Sequence, residues 1–109
     1  MSDDLTQDDF LGGRLRVWQP RKGYRAGVDP VILAASIPAR SGHTVLELGC
    51  GVGVASLCLS ARVPGLSLTG VEMQADYAKL ASRNAAENPA ALTVVCSDLR
   101  HLPADLRQR

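Results

Sequence analysis

The sequence predicts an α/β fold, a parallel sheet covered on both faces by helices. Three observations predict it. Largely apolar stretches of strand length recur at 44–48, 66–71 and 92–96. Stretches of helical length separate them. The first of these strands turns into its helix through Gly49, Gly51 and Gly53, at the end of a parallel strand where such sheets receive ligands. A length of 109 residues suits one small domain.

The elements follow in order. Residues 1–9 carry Asp3, Asp4, Asp8 and Asp9 and read as a flexible acidic tail, leaving 10–109 as the folded domain. Gly12-Gly13 is a turn, and Leu15 and Val17 alternate with Arg14 and Arg16 as a hairpin or edge strand before Pro20. Pro20 to Gly27 is a polar loop. Asp29-Pro30 starts a helix, with Asp29 as cap and Pro30 where its missing N–H costs nothing. Val31 to Ile37 is apolar nearly all round, so that helix is buried on most sides. Thr44–Leu48 is the first core strand, Val52–Ala61 a helix packed on the sheet, and Leu66–Val71 the second strand. Asp76–Glu87 is a second helix, with Tyr77, Leu80, Ala81 and Asn84 on one face. Leu92–Cys96 is the third strand, and a helical turn begins near Ala104.

Composition excludes several function classes. Hydrophobic residues make up 46% of the chain and charged residues 21%, as in a compact globular domain and unlike a disordered one. Twelve Lys and Arg against eleven Asp and Glu give a formal charge of +1, so overall charge offers no argument for nucleic acid. The basic stretch Arg14, Arg16, Arg21, Lys22 and Arg25 could meet the phosphates of an RNA such as tRNA. Equally, it could be the solvated face of a hairpin. Cys50, Cys58 and Cys96 match no zinc spacing and no CxxC pair, and all three are expected buried and reduced. No apolar run is long enough to span a bilayer, and the polar start lacks a signal-peptide pattern. A cytoplasmic location fits best.

The run Glu47-Leu48-Gly49-Cys50-Gly51-Val52-Gly53 is the centre of the functional reading. Glycines permit a sharp turn and close approach of a ligand to the main chain. A dinucleotide fingerprint is G-x-G-x-x-G. Counted from Gly49 its third glycine falls on Val54, and counted from Gly51 on Ser56. Val54-Ala55-Ser56 also lacks the lysine of a phosphate-binding P-loop. Glu47 at the strand end would repel a pyrophosphate but suits a ligand with an ammonium and a sulfonium group. That favours S-adenosyl-L-methionine over a nicotinamide cofactor. The plain alternative is a glycine-rich turn beside a salt-bridged or solvated Glu47.

Two further acids share that edge of the sheet. Glu72 ends the second strand and can accept from both ribose hydroxyls, whichever nucleotide is bound. Met73 could lie against an adenine face or simply pack in the core. Asp98 can reach the exocyclic amine of adenine, with Leu99 packing on the ring or donating its backbone N–H, or it can serve as a turn or cap residue. Tyr24 lies before the first helix, where it could cover the methionine end of the cofactor. Trp18 and Gln19 either meet substrate or anchor the hairpin. His43 and His101 receive no role.

The run from Val45 to Gly53, with Gly70-Val71-Glu72-Met73 and Ser97-Asp98-Leu99, resembles the class I S-adenosylmethionine-dependent methyltransferases. Leu11 to Pro20 and Gly23 to Pro30 resemble a narrower group, which includes the bacterial enzymes that methylate N6 of an adenosine in a valine tRNA. The resemblance implies a Rossmann-like three-layer sandwich, present in part: the first three parallel strands in order 3-2-1, with an N-terminal hairpin and helix. It implies that Glu47 and the backbone of Gly49, Cys50, Gly51 and Gly53 hold the amino-acid end of the cofactor. Glu72 and Met73 would take ribose and adenine, and Asp98 and Leu99 the adenine edge. An Asn-Pro-Pro-Tyr motif after the fourth strand, which receives the target amino group in this branch, is absent, since Asn88-Pro89 is followed by Ala90. The chain is therefore expected to bind cofactor without turnover. Its first strand is expected to have an open edge, covered by a homodimer partner, the N-terminal hairpin or another neighbouring molecule. A nicotinamide-binding oxidoreductase domain and a non-catalytic assembly module that kept the fold are the rival readings.

Overall fold

The computed structural model of the chain describes residues 4–22, 34, 37–98 and 100. It contains two sheets and two helices among them. Strands β1 (Leu5–Phe10) and β2 (Leu15–Pro20) form an antiparallel hairpin. Strands β3 (Thr44–Leu48), β4 (Ser67–Glu72) and β5 (Leu92–Cys96) form a parallel sheet in the order β3-β4-β5. Helix α1 (Val54–Arg62) joins β3 to β4, and helix α2 (Ala75–Glu87) joins β4 to β5. The expected strand order 3-2-1 is the observed one, and the three core strands lie where the apolar stretches put them, to within a residue.

The acidic start is not a tail over residues 5–9. It is β1, and its acids are the partners of the basic strand opposite. Asp9 stands in register with Arg16, with 3.7 Å between carboxylate and guanidinium. Asp4 pairs with Arg21 at 2.6 Å, and Asp8 accepts from the Gln19 side chain at 2.9 Å. Read separately, an acidic run and a basic run each look like solvated chain. Folded back through Leu11, Gly12 and Gly13, all three at positive φ, they neutralise each other.

The hairpin does not extend the parallel sheet. Leu15 and Val17 join the core formed by Val54, Leu57 and Cys58 of α1, Leu68 of β4 and Leu80 of α2. The other edge of β2 is closed by two asparagines four residues apart, Asn84 on α2 and Asn88, which caps its C-terminal end. Asn84 Oδ1 accepts the Trp18 N–H at 2.8 Å, and its Nδ2 donates to the Trp18 carbonyl at 3.0 Å. Asn88 repeats this pattern on Arg16 at 3.0 and 2.8 Å. The two amides thus occupy the hydrogen-bonding positions of a neighbouring strand, so β2 has no free edge there. Trp18 is pinned from outside: its indole N–H donates to Glu87 at 3.0 Å, and the Arg83 guanidinium lies 4.2 Å from the ring centre.

Among the described residues β3 pairs only with β4, so the hairpin is not the cover expected for its open edge. Pairing puts Thr44, Leu46, Ser67, Thr69 and Thr93 on one face of the sheet, and all five line a groove. On the opposite face Leu68 joins the core with residues of both helices, and Gly70 faces Cys50 of the glycine turn. The expected helix starting at Asp29-Pro30 and the turn near Ala104 lie outside the described residues. Ala34, which is described, is buried in the core.

Candidate functional site

The chain leaves β3 and turns sharply before entering α1. Gly49, Gly51 and Gly53 sit at φ of 72°, 57° and 95°, angles that a Cβ opposes. The N–H groups of Gly49 and Cys50 both donate to the Val71 carbonyl, at 2.7 and 3.0 Å, which ties the turn to the end of β4. No heavy atom lies within 4 Å of where a Cβ would stand on Gly49 or Gly51. The outer side of the turn is therefore open main chain. Gly53 caps α1 without a side-chain hydrogen bond, and the first turn of that helix contains no acid. Its N–H groups and positive end face the same side as the glycine turn.

Two carboxylates flank this turn. Glu72 ends β4, is only 8% exposed, and points into the loop. Its Oε1 accepts the Gly51 N–H at 2.9 Å and its Oε2 the Gln74 N–H at 3.0 Å. Those two bonds fix the side chain and leave two lone-pair positions for a ligand's hydroxyls. Glu47, in β3, accepts the Ser56 hydroxyl at 2.6 Å. Burial pushes its carboxyl above the ordinary range, and the Ser56 hydrogen bond opposes that rise.

Cys50 fills the space between the two acids and β4. Its thiol is pushed up to about 12, first by burial and then by the charges of Glu47 and Glu72. At neutral pH it is a small apolar filler and not a nucleophile. Gly70 makes room for it, because a Cβ there would stand 2.8 Å from Cys50 Sγ. Cys58 is buried as expected, but Cys96, the last residue of β5, is exposed.

The remaining expected site residues divide. Met73 follows Glu72 and is 58% exposed, so it is not a core residue and presents its thioether at the sheet edge. Asp98 follows β5 as expected, with its carboxylate engaged by Arg100: the backbone N–H donates at 2.9 Å and the guanidinium at 2.8 Å. Tyr24 and Leu99 lie outside the described residues. Glu47, Cys50, Glu72, Met73 and Asp98 thus stand at the C-terminal ends of three consecutive parallel strands, around the glycine turn. The basic stretch is largely compensated within the described residues: Arg16 and Arg21 meet Asp9 and Asp4, and Arg14 donates to the Ala61 carbonyl at 3.0 Å. Sequence reasoning missed Ser56, Gly70 and Asn84. The available signal was their polarity or smallness within otherwise apolar elements.

Among the described residues, no group of His, Cys, Asp and Glu could hold a metal ion, and no helix is long and apolar enough to cross a membrane.

Comparison with known proteins places this architecture. A family described as a methyltransferase domain matches residues 45–108. The chain is 36% identical over 103 residues to the tRNA1(Val) (adenine(37)-N6)-methyltransferase of Dickeya chrysanthemi, covering 94% of this chain and 39% of that protein. It is 30% identical over 98 residues to the Bacteroides fragilis protein of the same name, covering 88% of this chain and 41% of the relative. The chain thus spans about two fifths of the length of these relatives. Among solved structures, P. horikoshii TYW2 in complex with MeSAdo superposes with a TM-score of 0.77 at 18% identity, over 94% of this chain and 39% of that one. At that identity the likeness speaks to the fold, and it is the Rossmann-like one. From the matched family, the three-stranded parallel sheet and the glycine turn between two strand-end acids, the chain belongs to the class I S-adenosylmethionine-dependent methyltransferases.

Proposed function

We propose that this chain forms the cofactor-binding segment of a methyltransferase that transfers a methyl group to an amino nitrogen, with N6 of a tRNA adenine as the acceptor. The observation that carries the first part is the open glycine turn held between Glu47 and Glu72. Its donor set fits S-adenosylmethionine. The free N–H groups at the start of α1 suit the cofactor's carboxylate, Glu47 its ammonium, and Glu72 its ribose hydroxyls. Met73 offers a soft, exposed surface for the adenine. A pyrophosphate would meet two carboxylates at this turn, which opposes a dinucleotide.

When bound, the cofactor supplies a methyl group made electrophilic by its positive sulfur. The residues described here orient it and add no acid or base to the transfer. The tRNA adenine acceptor is supported by the names of the relatives. The 109 residues hold no Asn-Pro-Pro-Tyr sequence, so we assign to them cofactor binding and not the acceptor contacts. A cytoplasmic location accords with both the free thiols and a tRNA substrate.

Isothermal titration calorimetry of the 109-residue chain with S-adenosylmethionine, S-adenosylhomocysteine and NAD tests the reading. Saturable binding of the first two and none of NAD is expected. Saturable binding of NAD alone refutes it.

A further inference from the structure

Ser56 is a buried polar residue in the first turn of α1, 4% exposed, on a helix whose other inward positions are apolar. Its hydroxyl donates to Glu47 Oε1 at 2.6 Å. No buried side-chain oxygen or nitrogen among the described residues lacks a partner. Glu47 Oε2, which has no partner among the described residues, is therefore accessible to solvent. One oxygen of this carboxylate is tied down and the other is presented. The hydrogen bond also fixes the rotamer of a strand-end side chain that no cation holds among the described residues. It favours the charged form against the desolvation that β3 and α1 impose.

We propose that Ser56 is a positioning residue for the amino-acid end of the cofactor. It acts through Glu47, holding that carboxylate in place so that Oε2 meets the ligand's ammonium group. The inference rests on the reading of Glu47 given under Proposed function and adds the residue that makes Glu47 competent. Ser56 lies nine positions beyond Glu47, across the turn, and the hydrogen bond exists only because α1 starts directly above the end of β3.

The test measures calorimetric affinities of the 109-residue chain for S-adenosylhomocysteine and for methylthioadenosine, which lacks the amino-acid end. Ser56→Ala should weaken S-adenosylhomocysteine binding by about tenfold, the scale of one charge-assisted hydrogen bond, and leave methylthioadenosine binding unchanged. Ser56→Thr, which keeps the hydroxyl, should restore the affinity. In a Glu47→Ala background the Ser56→Ala substitution should add no further loss. Equal losses for both ligands would mean a general distortion of the helix and would overturn the proposal. So would a Ser56→Ala chain that matches the wild type on both ligands. A wild-type chain that binds neither ligand refutes the functional reading itself, and this inference with it.

Discussion

Substituting Gly70 by alanine tests how tightly the glycine turn is seated on the sheet. Gly70 lies in β4, and its backbone has no positive φ, so alanine can adopt the local conformation without strain. On that ground alone the change would stabilise the chain by about 0.5–1 kcal/mol, because glycine loses more freedom on folding. The added methyl, however, would stand 2.8 Å from Cys50 Sγ and 3.0 Å from Cys50 Cβ. Sγ cannot swing aside freely, since Cys50 is buried beneath the turn whose N–H groups are tied to Val71. Overpacking of this kind costs about 1–3 kcal/mol. The expected net loss is about 1–2 kcal/mol, a fall in Tm of roughly 4–8 °C per kcal/mol for a chain of this size.

Urea denaturation followed by circular dichroism measures that loss as a shift in midpoint at constant slope. The mechanism is checked in a Cys50→Ala background. There the Sγ clash is gone and only the 3.0 Å Cβ contact remains, so Gly70→Ala should cost about 1 kcal/mol less than in the parent. An equal cost in both backgrounds, or a stabilised single variant, would refute the packing argument.

Three other outcomes are expected. Asn84→Ala leaves the N–H and carbonyl of Trp18 and the carbonyl of Val52 without their buried partner, and should lower stability by about 3 kcal/mol in the same urea titration; a loss below that of an ordinary surface substitution would contradict the strand-mimic role. Titration with a disulfide reagent at pH 8 should find Cys96 fast, with Cys50 and Cys58 reacting only as the fold opens, since both are buried and their thiols raised; two fast thiols would count against it. Glu47 has a folded pKa above its unfolded one, so the stability it contributes is full below the ordinary carboxylate range and is lost as pH rises through the folded value. Glu47→Gln should therefore raise the Tm of the cofactor-free chain at neutral pH, flatten its pH dependence, and weaken S-adenosylmethionine binding. A lower Tm at neutral pH would show that the ionised carboxylate is not held at a cost.

The strands, the helices and the glycine turn were legible in the amino-acid order because each is dictated by neighbours within a few residues. Apolar runs of strand length read as buried parallel strands, and three glycines within five residues read as a turn no other residue allows. The acids at the strand ends followed from those boundaries. Nothing local announced the rest. Asp4, Asp8 and Asp9 looked like a tail until Arg16, Arg21 and Gln19 were placed opposite them. Asn84 sat on an apolar helix face for no visible reason, since its partner Trp18 is 66 residues away in the chain. Gly70 read only as part of the run that ends the second strand, yet it is the space that Cys50 needs. Ser56 and Glu47 belong to different elements and meet only when α1 folds over the end of β3. Local propensity writes element boundaries into the chain, whereas the partner of a buried polar group or the atom above a glycine is chosen by packing between elements far apart in sequence.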